Sequence, residues 1–268
     1  MTNFAITTIT IGAQQLRIAT RLGSSKRPPL LIFNGIGASL ELVLPFAEKL
    51  DADQSIIAFD VPGVGGSPTP MLPYRFSCLA SLAAKLLDHL DFDQVDVIGL
   101  SWGGFLAQQF AYDHPSRCRK LILAATSCGV AMTPPSPRVL SLMSSPRRYM
   151  DINYAAEIAP EIYGGAFRHD KELCRSHAIK MQAPVGHGYC HQMLAVSFWT
   201  SIFWLGSIRQ PTLVLGGSDD PIIPIVNIET LARLIPNAQM HIFDDGHLFL
   251  LTKAEESARI ITDFLEAE

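Results

Sequence analysis

The chain has no apolar run of membrane-spanning length, no Cys-x-x-Cys pair and no excess of basic charge. The first absence excludes a transmembrane helix. The five cysteines, at positions 78, 118, 128, 174 and 190, are odd in number and suit neither a disulfide framework nor a zinc site. A reducing compartment and inert, mostly buried thiols are therefore expected. A formal net charge of −4 offers no global field to attract nucleic acid. The opening stretch, MTNFAITTITIGAQQ, has neither a basic n-region nor a continuous apolar h-region, so no secretory signal is expected and the cytoplasm is the expected location. What the chain does have is 268 residues, 48% of them hydrophobic, enough for one large core.

The most informative stretch is VDVIGLSWGGFLAQQF, residues 95–110. Val95–Leu100 reads as a short buried strand, and Phe105–Phe110 carries apolar residues at helical spacing. Between them lies Gly99-Leu100-Ser101-Trp102-Gly103, a G-x-S-x-G pattern. A serine at the tip of so sharp a strand-to-helix turn needs neighbours almost free of side chain two residues before and two after. The turn lifts the hydroxyl above the C-terminal edge of a sheet and aims the next N–H and the positive helix end at the same point. Ser101 is thus the candidate nucleophile.

The rest of the chain supplies the context such a turn requires. Residues 4–11 and 14–21 suggest a β-hairpin about Gly12-Ala13. Strands are expected at Leu30–Phe33, Ser55–Phe59, Leu121–Ala124, Thr212–Leu215 and Gln239–Phe243, eight in all with the hairpin and the Ser101 strand. Helices are expected near 40–50, 75–90 and 225–235, with a closing helix from about 253. This alternation means a mainly parallel, doubly wound α/β sheet with helices on both faces and its ligand site at the strand C-termini. It is interrupted from 129 to 208, where no convincing strand is visible. That interval, entered through the proline-rich MTPPSPR, reads as a helical cap inserted into a core made of 1–128 and 209–268. Its aromatics are candidates to line an apolar substrate channel, with Trp199, Trp204, Phe198, Tyr163 and Tyr189 put forward.

A serine nucleophile needs a base and an orienting carboxylate, in the order nucleophile, acid, histidine for this strand arrangement. The strand at 212–215 runs into GGSDDPIIP, where Asp220 is preferred to Asp219 as the acid; the alternative acid position, 125–130, holds no carboxylate. The last strand ends in Asp244-Asp245-Gly246-His247, which makes His247 the candidate base. Backbone N–H groups of Ile36, in the loop after Leu30–Phe33, and of Trp102 are the candidate oxyanion donors. That loop has neither G-x-G-x-x-G nor G-K-[ST] spacing, so no dinucleotide or P-loop site is expected. His187 and His191 have i,i+4 spacing without the H-E-x-x-H pattern, and no metal site is expected there.

Elbow, triad order and cap together resemble the α/β-hydrolase superfamily. More closely, PLLIFNGIGASLELV, IIAFDVPGVGGS, IGLSWGGFLAQQFA, SPRRYM, APEIYGGAFR, WTSIFWL, RQPTLVLGG, DDPIIP and DDGHLFLL resemble the intracellular medium-chain-length poly(3-hydroxyalkanoate) depolymerases. That resemblance implies Ser101, Asp220 and His247 as a triad, no metal or organic cofactor, and a polyester stored in cytoplasmic granules as the substrate and partner surface. Asn34 stands where the wider superfamily usually has His in the oxyanion loop, and Pro62 where many relatives have Arg. The alternatives in play are a small-molecule carboxylesterase, thioesterase or C–C bond hydrolase of the same fold, a non-catalytic ligand-binding member, and a granule-surface structural protein. No nucleic-acid partner is expected, and nothing in the sequence specifies an oligomeric state.

Overall fold

The computed structural model describes residues 4–181 and 186–267. Its frame is an eight-stranded sheet built from β1 (Ala5–Ile11), β2 (Gln14–Arg21), β3 (Leu30–Phe33), β4 (Ile56–Phe59), β5 (Val95–Leu100), β6 (Cys118–Ala124), β7 (Thr212–Gly217) and β8 (Ala238–Phe243). The strands lie in the order β1-β2-β4-β3-β5-β6-β7-β8. β1 pairs antiparallel with β2, and β2 antiparallel with β4; all the other pairings are parallel. Parallel strands need covered faces on both sides. The period-2 alternation accordingly sends Leu31, Phe33, Val97 and Leu121 to one apolar cluster and Leu30, Ile32, Ile98 and Ile122 to the other. The first cluster takes in α2 (Phe76–His89), α3 (Trp102–Asp113) and α8 (Ile225–Leu234). The second takes in α1 (Leu40–Ala47), α9 (Phe249–Thr252) and α10 (Ala254–Glu266).

The expected strands and helices appear with shifted ends. β6 begins at Cys118 and β7 runs on to Gly217, both longer than their apolar runs suggested. α1 stops at Ala47, short of residue 50. Past its end the chain is tied to β2 by the buried guanidinium of Arg21, which donates to the carbonyls of Ala47 and Leu50, at 3.3 and 3.4 Å, and to that of Asp51 at 2.6 Å. The closing helix is two pieces, broken at Lys253.

Between β6 and β7 the described residues form α4 (Pro137–Ser144), α5 (Ile152–Tyr163), α6 (Lys171–Lys180) and α7 (His187–Ser197), with 3-10 turns at Pro146–Tyr149 and Gly165–Arg168. Their only β pairing is a single bridge, Gly129 to Thr200. Asp151 and Asp170 cap α5 and α6 by accepting from the N–H groups of Tyr154 and Leu173. Among the described residues, no helix is long and apolar enough to cross a membrane, and no group of three or more His, Cys, Asp or Glu residues is arranged to hold a metal. Cys118, Cys128 and Cys174 are buried, and Cys78 and Cys190 are exposed.

The strand that carries Ser101 is anchored at its far end by a buried charge. Asp96 in β5 is fully buried and accepts from both Nε and Nη2 of Arg119 in β6, at 2.8 and 2.6 Å. Arg119 also donates to the Leu265 carbonyl of α10. Removing one partner of such a pair strands the other without compensation. Asp96→Ala is expected to cost about 2–3 kcal/mol, seen as a lower urea midpoint at unchanged m-value.

Candidate active site

Ser101 sits between β5 and α3 with φ 52° and ψ −117°, far from helix or strand. Its N–H donates to Ala124 of β6 at 2.8 Å, and its carbonyl accepts from the Thr126 hydroxyl at 2.8 Å. The flanking glycines are required by contact. A Cβ on Gly99 would lie 2.3 Å from the Gly103 carbonyl oxygen, and one on Gly103 would lie 2.2 Å from that of Phe33. Both approaches are far inside van der Waals contact, so the turn closes only with glycine at these points.

Asp220 and His247 come together as the spacing predicts. His247 Nδ1 is 2.7 Å from Asp220 Oδ2, and both side chains are buried. The other carboxylate oxygen, Oδ1, accepts from the N–H groups of Ile222 and Ile223 at 2.8 and 2.9 Å, which fixes the acid. Asp219, its neighbour, faces outward to Arg168 at 2.5 and 2.8 Å and accepts from Gly165 N–H at 2.7 Å. The Arg168 guanidinium holds the Asp219 carboxyl below its usual range. The pair's contribution to stability is thus present above the ordinary aspartate range and fades as pH falls through the depressed value.

Ser101 and His247 line one cavity, whose walls include Leu42, Leu100, Met143, Ile222, Leu248 and Leu251. No hydrogen bond joins the Ser101 hydroxyl to the His247 ring among the described residues. That contact often tightens only when substrate binds. Ile36 lines the same cavity. Neither its N–H nor that of Trp102 meets an acceptor among the described residues, which leaves both donors free for a substrate oxygen. Asn34 serves the loop by local hydrogen bonds: its Nδ2 donates to the Ser39 carbonyl at 2.8 Å and its Oδ1 accepts from Gly35 N–H at 2.9 Å.

The aromatics between β6 and β7 divide. Tyr163 lines the cavity. Tyr189 borders an adjoining groove, its ring 5.2 Å from that of Tyr149. Trp199, Trp204 and Phe198 do not line the cavity, and the sequence expectation is corrected there. Trp199 packs against Phe76 and Phe105 at 5.1 and 5.2 Å and donates its indole N–H to Gln109. Trp204 stacks on Tyr112 at 4.4 Å, so both tryptophans glue the segment to α2 and α3. Phe198, just past the end of α7, is 91% exposed. Tyr149, Met143 and Met181 stand in the wall instead.

Three sets of residues escaped the sequence reading. Gln192 of α7 is fully buried; its Oε1 accepts from Gly37 N–H at 2.8 Å and its carbonyl from the Trp102 indole at 3.0 Å, bracing the loops on both sides of the free donors. The turn after α5 holds the acid and base loops: Tyr163 carbonyl accepts from His247 N–H at 2.7 Å, and Ala166 N–H donates to Asp245 at 2.9 Å. Gly164 and Gly165 there have φ of 66° and 50°, a signal that the pair of glycines in APEIYGGAFR carries. His177 also lines the cavity, but burial, followed by Lys180 and Arg148, pushes its pKa down to about 4. Its Nδ1 has no partner, so unlike His247 no carboxylate orients it. His191 is buried with its ring 5.8 Å from Tyr74.

Such an arrangement can perform acyl transfer: a half-buried hydroxyl and a carboxylate-oriented imidazole on one cavity, with unpartnered N–H groups at Ile36 and at Trp102, the residue after the serine. The comparisons with known proteins agree with it. An α/β hydrolase fold model matches residues 28–157 and 187–254. A poly(3-hydroxyalkanoate) depolymerase of Ectopseudomonas oleovorans is 58% identical over 261 residues, covering 97% of this chain and 92% of that one. A 2-hydroxymuconate semialdehyde hydrolase of Pseudomonas sp. (strain CF600) is 29% identical over 88% of this chain and 86% of its own. The crystal structure of the enol-lactonase from Burkholderia xenovorans LB400 superposes with a TM-score of 0.83 at 20% identity, covering 97% of this chain and all (100%) of that one. At that identity the likeness is one of fold.

The two aspartates separate by mutation. Asp220→Asn is expected to lower kcat on an ester by about 10³- to 10⁴-fold, because an amide holds the wrong imidazole tautomer. Asp219→Asn is expected to change kcat less than about threefold, since its ion pair is exposed and the amide oxygen still accepts from Gly165. Steady-state kinetics on a chromogenic ester, with circular dichroism to check folding, decides between them.

Proposed function

The chain belongs to the α/β-hydrolase family and is a carboxylic-ester hydrolase, and we propose that it cleaves the backbone esters of an intracellular, medium-chain-length poly(3-hydroxyalkanoate). The observation that carries this reading is Ser101 and His247 in one largely apolar cavity, in a chain whose similarity to the depolymerase runs through the segment that helps wall it. Ser101 Oγ attacks the ester carbonyl while His247 takes its proton; Asp220 keeps the ring in the required tautomer and stabilises the imidazolium. The N–H groups of Ile36 and Trp102 receive the developing oxyanion. The imidazolium then protonates the departing alkoxide oxygen, which leaves as an alcohol, and neutral His247 takes a proton from water as that water attacks the acyl carbonyl and frees Ser101. Residues 129–208 act as a cap over a core of 1–128 and 209–268. The enzyme works in the cytoplasm at the granule surface.

Chain length is read by burial. Each methylene removed from water contributes about 0.8 kcal/mol, so going from a four- to an eight-carbon acyl group offers up to about 3 kcal/mol, or roughly a hundredfold in specificity. Tyr163, Met143, Leu42 and Leu251 are the surfaces available for that burial; Tyr189 borders the groove beside it.

Ser101→Ala is expected to fold normally and to lose about 10³- to 10⁶-fold in turnover; a variant keeping a tenth of wild-type rate would remove Ser101 from the chemistry. Incubation of the wild type with purified medium-chain granules should release 3-hydroxy fatty acids or their oligomers. With nitrophenyl esters, kcat/KM should rise from acetate to octanoate, and Met143→Ala should flatten that rise while Trp204→Ala leaves it unchanged. Equal kcat/KM for acetate and octanoate, with no release from granules, would leave a small-molecule hydrolase as the reading.

A further inference from the structure

Among the cavity's lining residues is a cation that the chemistry above does not use. Arg148, in the 3-10 turn Pro146–Tyr149, is only 4% exposed. Three other arginines of the same segment are ion-paired, Arg138 with Glu161, Arg147 with Asp151 and Arg168 with Asp219, while Arg175 donates to Asn153 at 3.5 Å. Arg148 has no ion pair among the described residues, and its Nε has no hydrogen-bond partner at all. What surrounds it are phenols. It donates to the Tyr149 hydroxyl, meets the Tyr189 hydroxyl, and lies over the Tyr149 ring at 4.5 Å. The one glutamate on the cavity wall, Glu41, is held by Arg17 at 2.6 Å. A guanidinium cannot escape the cost of burial by losing its proton, and that cost is normally met by a carboxylate. Here no carboxylate among the described residues pairs with it, and Arg148 is one of the residues that line the cavity shared by Ser101 and His247.

We propose that Arg148 is a substrate-binding residue for a free carboxylate, the acid terminus of a 3-hydroxyacyl chain or oligomer, held in the same cavity as Ser101. The proposal rests on the ester-hydrolase reading and deepens it. A guanidinium stays charged at any working pH and holds its N–H donors in one plane, so it meets a carboxylate with a geometry that a lysine cannot reproduce. The enzyme then favours esters close to the acid end of a chain, and short acid-terminated oligomers above neutral ones of equal length. The released hydroxy acid, itself a carboxylate, competes for the same group.

The test compares the linear dimer of 3-hydroxyoctanoic acid with its methyl ester near pH 7.5, where the free acid is ionised. Charge-assisted hydrogen bonds to one carboxylate correspond to roughly 10- to 100-fold in affinity. The wild type should therefore favour the acid dimer by about that factor in kcat/KM, carried mainly in KM. Arg148→Met should bring the ratio of the two substrates close to one, and Arg148→Lys should keep part of it. In the wild type, 3-hydroxyoctanoate should inhibit hydrolysis of a nitrophenyl ester more strongly than methyl 3-hydroxyoctanoate does, a comparison that needs no variant to fold. Equal kcat/KM for both dimers in the wild type, equal inhibition by acid and methyl ester, or a ratio untouched by Arg148→Met would each overturn the proposal and leave the hydrolase reading standing. Inactivity of the wild type on both dimers would overturn the two together.

Discussion

Everything at this site depends on one strained turn. Ser101 holds φ 52° and ψ −117° because β5 must end and α3 begin within a single residue. A conformation of that kind costs on the order of 1–3 kcal/mol and persists only where its surroundings over-determine it. The surroundings are visible: β6 takes the Ser101 N–H, Thr126 takes its carbonyl, and Gly99 and Gly103 allow helix and strands to touch backbone to backbone. The same closeness brings the start of α3 against the carbonyls of Phe33 and Asn34, at the head of the loop that carries Ile36. Strain, tight packing and electrophilic donors are consequences of the same geometry.

The elbow and its partners were legible because the chemistry constrains residue type at short range. Glycine is required within two positions of Ser101, and a carboxylate and a histidine are required just past the ends of β7 and β8. Where contacts join residues far apart in the chain, the pattern is silent. Gln192 lies 155 residues from Gly37, and nothing in its neighbourhood marks it as a brace for that loop. The tryptophans illustrate the complementary failure. Large aromatics in the interval 129–208 announce burial but not against what, and Trp199 and Trp204 bury themselves on α2 and α3. Arg147 and Arg148 are adjacent and identical in type; only the 3-10 turn decides that the first meets Asp151 at the surface and the second enters the cavity.

The segment between β6 and β7 is bonded directly to the loops that carry Asp219, Asp245 and His247. His247 N–H, Asp219 and Asp245 all bond to residues 163–168, and Gly246 has no room for a Cβ because the Tyr163 carbonyl oxygen would stand 2.0 Å from it. Displacing this turn would strip the base and acid loops of three backbone-mediated hydrogen bonds, each worth about 0.5–1.5 kcal/mol net and more where a buried group is left unpaired. It would also uncouple His247 from the geometry that Asp220 enforces. The cavity wall and the His247 loop therefore share a scaffold: Tyr163 lines the cavity, and its carbonyl accepts from the His247 N–H.

That sharing explains how a cavity can be apolar and still hold fixed polar groups. The wall contributed by Leu42, Val43, Phe46, Leu248 and Leu251 is hydrocarbon and rewards alkyl burial. The wall contributed by residues 148–181 carries phenols, a neutral His177, the buried guanidinium of Arg148 and the exposed ammonium of Lys180. A 3-hydroxy fatty acid has the same division, with an alkyl tail on one side and a polar backbone of ester, hydroxyl and carboxylate on the other. An all-hydrocarbon pocket would bind the tail in either direction along the chain. A single buried cation breaks that degeneracy, because reversing the chain leaves a charge without its partner, at a cost greater than one or two methylenes can offset. Directionality along a repeating polymer thus needs only one charged side chain, provided that it is buried and has no partner of its own.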